Sequence, residues 1–244
     1  MNYPQQAISI LLDMLFPPKC INCHIIIPLK KGYICSKCLS LISIKKDFEC
    51  LGCRLATPFG KTCNQCQKDF RIDNIFIVAS YREPLVSLIK TIKYRFVERI
   101  SIPIEQIIKK YLIWLFEHKF SLNSENPIIS PVPLHYRRYN WRGFNQAEII
   151  AELLASKIQC HMQPDLLIKK NQSKPQADIS EHVMRYSNIN GCFSLSEEWK
   201  NKITDRTIIL VDDVCTTGAT LNECAQVLKK NGAKKVIGFV IARG

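Results

Sequence analysis

Eight of the twelve cysteines fall between Cys20 and Cys66, as four Cys-x-x-Cys pairs: Cys20/Cys23, Cys35/Cys38, Cys50/Cys53 and Cys63/Cys66. The other four, Cys160, Cys192, Cys215 and Cys224, stand alone. A Cys-x-x-Cys turn aims two thiolates at one point, and two such turns complete the tetrahedral shell that Zn2+ prefers. A secreted disulfide protein scatters its cysteines, and a dithiol redox enzyme needs one such pair rather than four. The gaps between Cys23 and Cys35 and between Cys53 and Cys63 each suit a short ribbon. Two sequential structural zinc sites are therefore expected, one from Cys20, Cys23, Cys35 and Cys38, the other from Cys50, Cys53, Cys63 and Cys66. An interleaved pairing, first with third and second with fourth, fits the spacing almost as well. His24 adjoins Cys23 and, with eight thiols at hand, is expected to be a bystander. Closed thiolate shells leave no open metal position, so no zinc catalysis is expected.

A different chemistry sits near the other end, in Ile208-Ile209-Leu210-Val211-Asp212-Asp213-Val214-Cys215-Thr216-Thr217-Gly218-Ala219-Thr220. An apolar strand would deliver two carboxylates that can accept hydrogen bonds from a sugar diol. The Thr/Gly loop would then offer hydroxyls and backbone N–H groups at a helix N-terminus, which is an anion site. Gly218 would let a phosphate approach the backbone closely. Acidic pair and phosphate loop together describe a ribose 5-phosphate. No Gly-Lys-Ser/Thr follows, so this is not a Walker A loop.

Such a loop needs a strand before it and a helix after it, and the pattern supplies both. Thr207–Val211 reads as a buried strand, Thr217–Asn231 as a helix closed by Gly232, and Lys235–Ile241 as another buried strand. Earlier, Asn74–Ser80 and Pro127–Val132 read as strands, and Leu166–Lys169 as a weak one. Leu85–Lys93, Pro103–His118 (with Ser101 as cap) and Asn145–Lys157 read as helices. Continuous apolar strands alternating with helices predict an α/β fold with a mainly parallel sheet covered on both faces. The expected organisation is a double zinc ribbon over 17–70 followed by that domain over 74–244.

The chain has 244 residues with 34 Lys+Arg against 21 Asp+Glu, a net charge of +13. With 47% hydrophobic residues it can build a core, which excludes wholesale disorder. No apolar run reaches the ~18 residues of a membrane span, and Met1–Ile10 lacks the basic start of a secretory signal. A soluble, cytoplasmic protein is expected. The positive excess lies in the ribbon and just after it. The basic, aromatic-bearing stretch Lys90, Lys93, Tyr94, Arg95, Phe96 suits a phosphate-rich partner, or equally a solvated basic face.

The segment from Ile208 to Thr220 resembles the phosphoribosyl-diphosphate (PRPP) signature of the type I phosphoribosyltransferases. Three further stretches narrow the likeness: Leu88-Ile89-Lys90 with Lys93-Tyr94; Val132-Pro133-Leu134-His135 with Arg137-Arg138 and Arg142-Gly143-Phe144-Asn145-Gln146; and Arg185 with Asn188, Gly191 and Phe193. With the cysteine-rich region in front, they resemble the ComF (competence protein F) family along nearly the whole chain.

That resemblance implies a type I phosphoribosyltransferase-like domain. Asp212 and Asp213 would contact the ribose hydroxyls, directly or through Mg2+, and Thr216, Thr217, Gly218, Ala219 and Thr220 would cradle the 5-phosphate. The loop after Pro131–Pro133 would face the pyrophosphate, with Arg137, Arg138 and Arg142 as cations, since bidentate Arg suits pyrophosphate better than Lys. Lys169–Ile179 would be a hood loop. Here Lys169-Lys170-Asn171 and Ser173-Lys174-Pro175-Gln176 replace the Arg-x-Arg and Thr-x-x-Gln common among relatives, which removes one strong cation.

The resemblance further implies a role in natural transformation, with PRPP or a related phosphosugar as ligand and single-stranded DNA as partner. Lys90, Lys93, Tyr94 and Arg95 are the nucleic-acid candidates, and Tyr94, Phe96, Trp141 and Phe144 are stacking partners, Phe96 being better read as core. Two alternatives stand beside it. One is an active phosphoribosyltransferase of unknown acceptor, although no base-recognition element or general base stands out; Glu148, Asp178 and His135 are weak candidates. The other is a zinc-ribbon adaptor with a non-catalytic scaffold that docks a partner such as a competence helicase, although an intact Asp212-Asp213 pair argues against a vestigial site.

Overall fold

The computed structural model describes residues 17–28, 33–92, 97–120, 122, 127–170 and 191–244, with residues 97–100 as backbone only. Four strands, β1 (Asn74–Ser80), β2 (Ile128–Pro131), β5 (Thr207–Cys215) and β6 (Lys235–Arg243), form a parallel sheet in the order β1-β6-β5-β2. Their side chains alternate between two apolar faces, as continuous Val/Ile/Phe runs require. Phe76, Val78, Ile209, Val211, Phe239 and Ile241 meet α2 (Leu85–Ile92), α3 (Val97–Glu117) and α5 (Gln146–Ile158) on one face. Ile75, Ile77, Ile208, Leu210, Val236 and Val240 meet α6 (Ala219–Lys230) on the other. The expected α/β sheet, covered on both faces, is present.

Two short strands, β3 (Leu167–Lys169) and β4 (Phe193–Leu195), pair antiparallel as a separate small sheet beside the α6 face. The cysteine-rich stretch carries one short α-helix, α1 (Ser36–Ser40), and two single 3-10 turns, Pro58–Gly60 and Cys66–Lys68, and has no core of its own among the described residues. Cys20, Ile27, Ile34, Cys35, Cys38 and Ile42 join the α3 face, and Leu51 joins the α6 face. Antiparallel bridges Ile44↔Ala79 and Lys61↔Asn74 stitch it to β1.

Several elements differ from the expected ones. Strands β5 and β6 run past Val211 and Ile241, because the parallel ladder continues through Asp212↔Val240, Val214↔Ala242 and Cys215↔Arg243 after the apolar run has ended. Helix α3 begins at Val97, so Ser101 lies inside it rather than at its start. Pro103 also lies inside, where its missing N–H and ring clash cost ~3 kcal/mol. The buried stripe Ile104, Ile107, Ile108, Tyr111 and Leu115 offsets that cost. The helix expected from Thr217 starts at Ala219, which leaves Thr216–Gly218 as a true loop. Helix α4 (Tyr136–Arg142) was not foreshadowed by any apolar period. His135 Nδ1 caps it by accepting from the Arg137 N–H at 3.3 Å, and Gly143 ends it at φ +77°.

Candidate functional site

The cysteines assemble as two sequential sets: Cys20, Cys23, Cys35 and Cys38, and Cys50, Cys53, Cys63 and Cys66, the sulfurs of each set all within 4.8 Å of one another. The interleaved pairing is thereby set aside. Four sulfurs ~2.3 Å from one zinc stand ~3.8 Å apart. The Cys23–Cys35 and Cys53–Cys63 sulfurs are 3.6 and 3.7 Å apart, so each set can hold a zinc ion. Each knuckle repeats one turn, with His24 at φ +61° after Cys23 and Arg54 at φ +63° after Cys53. His24 belongs to neither ligand set.

Backbone donors orient the sulfurs in the manner of an outer ligand shell. The Cys35 N–H reaches Cys20 Sγ at 3.4 Å, and the Cys63 N–H reaches Cys50 Sγ at 3.4 Å. Burial opposes ionisation of Cys20 and Cys50, but N–H donors prevail and lower the two thiols to about 6 and about 7. Cys38 and Cys66 are pushed up to about 12, first by burial and then by the neighbouring thiols. Four crowded thiols cannot all ionise unless a cation joins them, which is the behaviour expected of a metal donor set. The isolated Cys160, Cys192, Cys215 and Cys224 are all pushed up, chiefly by burial, and have the character of inert core thiols.

The second chemistry gathers at the carboxyl ends of β5 and β2. The Val132 N–H donates to the Val211 carbonyl at 2.8 Å, so the loop leaving β2 lies against the start of Asp212–Gly218. After β2 the chain returns as α5 on one face, and after β5 it returns as α6 on the other. Connections that part in this way open a crevice at the strand ends, where α/β sheets bind ligands. Asp212 and Asp213 are half-buried at its floor, and their Oδ1 atoms accept from the N–H groups of Asp213 (2.8 Å) and Val214 (2.7 Å). As consecutive strand residues, their side chains leave β5 on opposite sides. Thr217 Oγ1 accepts from the Ala219 N–H at 3.3 Å, and the first turn of α6 carries N–H groups without intrahelical partners. Gly218 has φ +81°, and a Cβ there would lie 2.7 Å from Leu51 Cδ1. Its bare side is thus filled by Leu51 rather than left open to a ligand, and its N–H edge is the part that can meet an anion.

On the β2 side the three expected arginines separate. Arg142 turns back to donate from Nη1 to Gln146 Oε1 at 3.0 Å. Its Nε and the Nε2 of Gln146 are sealed from solvent with no hydrogen-bond partner among the described residues. Orphaned buried donors cost about 1–3 kcal/mol each, and two side by side suit anionic oxygens. Asn145 holds this corner, donating from Nδ2 to the Val132 carbonyl at 3.1 Å and capping α5 through the Ala147 N–H. Arg137 and Arg138 lie on the exposed α4 with Tyr136, Tyr139 and Trp141, Trp141 being 67% exposed. The Arg137 Nε donates to the Tyr136 hydroxyl at 3.1 Å.

Of the nucleic-acid candidates, Lys90 is exposed on α2, whereas Lys93, Tyr94, Arg95 and Phe96 lie outside the described residues. Phe144 packs against the core. The proposed hood retains Lys169 and Lys170 among the described residues; its remainder, with Asp178, Arg185 and Asn188, lies outside them. Burial, with Glu152 and Asp165 nearby, raises the Glu148 carboxyl, and His135 is occupied as a helix cap. Pattern reading missed Gln146 as an individual donor and Leu51, Arg54 and Arg243 altogether. The last three lie far in sequence from what they touch, and no local signal marks them.

A phosphoribosyl transferase domain is matched by residues 144–244. Competence protein F of Haemophilus influenzae is 29% identical over 226 residues, 92% of this chain and 96% of that protein. DNA utilization protein YhgH of Escherichia coli K12 is 29% identical over 229 residues, 93% of this chain and 97% of that one. Competence protein ComFC of Bacillus subtilis is 33% identical over 119 residues, 48% of this chain and 44% of its own length. Among solved structures, a hypoxanthine phosphoribosyltransferase from Staphylococcus aureus covers 57% of this chain and 62% of its own at 13% identity, with a TM-score of 0.35, too slight to carry weight. No helix among the described residues is long and apolar enough to cross a membrane. Similarity along nearly the whole chain, the transferase-domain match and the two four-cysteine sets together make this chain a relative of competence protein F and of YhgH.

Proposed function

We propose that the protein acts in DNA uptake in the cytoplasm, binding PRPP in the β5–β2 crevice and single-stranded DNA on its exposed basic surface. The observation that carries the reading is the crevice itself. Its acidic pair and helix N-terminus follow β5 and the two orphaned donors follow the neighbouring β2, a layout that suits a sugar with phosphates at both ends. In this reading Asp212 and Asp213 accept from the ribose hydroxyls. Thr216 to Thr220 hold the 5-phosphate, and Arg142 with Gln146 meets the pyrophosphate. In this reading Mg2+ enters with the phosphosugar and offsets its charge. Support for the DNA half comes from the names of the relatives and from α4. There Arg137 and Arg138 interleave with Tyr136, Tyr139 and Trp141, and no acidic residue is present, a mixture suited to tracking phosphates and stacking bases.

The test is calorimetric titration of the zinc-loaded protein with PRPP and Mg2+, repeated with single-stranded DNA bound. Saturable binding that is lost in Asp212→Asn/Asp213→Asn, with circular dichroism unchanged, is expected. Normal PRPP binding by that variant would refute the site, and no binding by the wild type would refute the ligand.

A further inference from the structure

The second knuckle is bolted to the loop assigned above to the 5-phosphate. Leu51, between Cys50 and Cys53, is fully buried and fills the space beside Gly218. Arg54 Nη2 donates to the Gly244 carbonyl at 2.9 Å and to the Thr216 carbonyl at 3.4 Å. From the sheet side, Arg243 donates through Nη1 to Glu49 Oε1 (2.6 Å) and the Cys50 carbonyl (3.2 Å), and through Nη2 to the Leu51 carbonyl (2.6 Å). The Gly244 N–H closes the ring on the Cys215 carbonyl at 3.0 Å. The short turn Glu49–Arg54 thus grips the segment Cys215–Gly218 on both flanks.

That turn is not one the chain would keep unaided. Arg54 is a non-glycine residue at φ +63°, a conformation that persists only where its surroundings over-determine it. The residues that pin it are Cys50 and Cys53, and a metal shared with Cys63 and Cys66 would lock them. The first four-cysteine set has no such connection among the described residues; its residues pack with the α3 face, on the other side of the sheet.

We infer that Leu51 and Arg54 are positioning residues for the phosphate loop, so that metal in the second four-cysteine set tightens phosphosugar binding while metal in the first does not. This rests on the reading of Asp212–Thr220 as the phosphosugar site. Neither residue needs to touch the ligand; both hold the backbone whose N–H groups do. By reciprocity, bound phosphosugar slows metal loss from the second set alone.

The experiment uses the full-length, zinc-loaded chain with Leu51→Ala, Leu51→Met, Arg54→Ala, Arg54→Lys, Cys53→Ser and Cys23→Ser. Metal content, melting temperature, PRPP affinity with Mg2+ and hydrogen exchange of amides 216–220 are read on each. Leu51→Ala and Arg54→Ala should keep both metals and lose PRPP affinity about tenfold, within the usual range of coupling between sites. Leu51→Met and Arg54→Lys should recover most of it. Cys53→Ser should weaken PRPP binding as well, whereas Cys23→Ser should lose a metal and leave affinity within about twofold. Arg54 is exposed, so its variants report on position even if Leu51→Ala fails to fold. Unchanged affinity in metal-loaded Arg54→Ala overturns the inference. If the wild type binds no PRPP, the ligand reading fails separately and exchange decides: amides 216–220 should open about tenfold faster in Arg54→Ala and Cys53→Ser. Equal exchange overturns the coupling.

Discussion

Alanine at position 218 puts the packing of knuckle against loop to a quantitative test. Gly218 sits at φ +81°, where an L-residue costs ~1–2 kcal/mol. A Cβ there would also stand 2.7 Å from Leu51 Cδ1 and 2.9 Å from its Cγ. Carbon atoms prefer ~3.5–4.0 Å, so a fully buried leucine must shift by about an ångström against its neighbours. Overpacking of that kind costs about 1–3 kcal/mol. Gly218→Ala should therefore destabilise by about 2–5 kcal/mol, a large part of the ~5–15 kcal/mol that a folded domain possesses. The assay is urea unfolding of the zinc-loaded chain, read as a lower midpoint at unchanged slope. Leu51→Ala alone leaves a cavity and costs about 2–5 kcal/mol. In the double variant the new methyl enters that cavity, so the two effects should fall short of additivity by about 1–3 kcal/mol. A loss below ~1 kcal/mol for Gly218→Ala, or a strictly additive cycle, would mean that Leu51 does not meet the loop.

Other perturbations address the remaining parts. Cys20→Ser should lower the bound zinc from two equivalents to one and lower the melting temperature, because metal affinity is folding energy for a knuckle; unchanged zinc by atomic absorption would refute the first four-cysteine set. Arg243→Met should cost ~3–5 kcal/mol in chemical denaturation, because it strands Glu49, 2.6 Å from the Arg243 Nη1; a loss under ~1 kcal/mol would show that Lys45, 2.9 Å from Glu49, suffices. Trp141→Ala should weaken single-stranded DNA binding by ~1–3 kcal/mol with melting unchanged, since the ring is exposed; equal affinity in fluorescence anisotropy would remove α4 from the DNA surface.

What could be read from the chain alone was whatever is written locally. Asn74–Ser80 reads as a strand because a β-branched and aromatic run suits a strand buried on both faces, and it has those bounds. The two four-cysteine sets are legible because a metal demands a spacing. The loop Asp212–Gly218 is legible because strand, acidic pair and glycine are contiguous. Helix α4 was missed because Tyr136–Arg142 has no buried face and hence no apolar period; its signals are an unusual histidine cap and Gly143. Strand β4 is three residues long and is defined by its partner, Leu167–Lys169, rather than by its own pattern. Ser101 misled because the rule that a hydroxyl starts a helix competes with the apolar stripe, which carries α3 through Pro103. Arg54 meeting Thr216, or Arg243 meeting Glu49, is a product of tertiary folding, and a single sequence has no means of encoding it visibly.

The position of β1 has a consequence for how the chain assembles. It is an edge strand whose partner is β6, the last strand of the sequence. Emerging from a ribosome, both knuckles can close on metal once Cys66 is made. Yet Leu51 cannot meet Gly218 until β5 has been made, and β1 has no parallel partner until β6 arrives. For most of synthesis the second knuckle is a cap whose seat on the phosphate loop does not yet exist, and the sheet closes late by its most distant pairing. Long-range parallel pairing is slow, and uncovered apolar surface aggregates meanwhile. Metal supply during translation, rather than after it, should therefore govern the soluble yield of this protein.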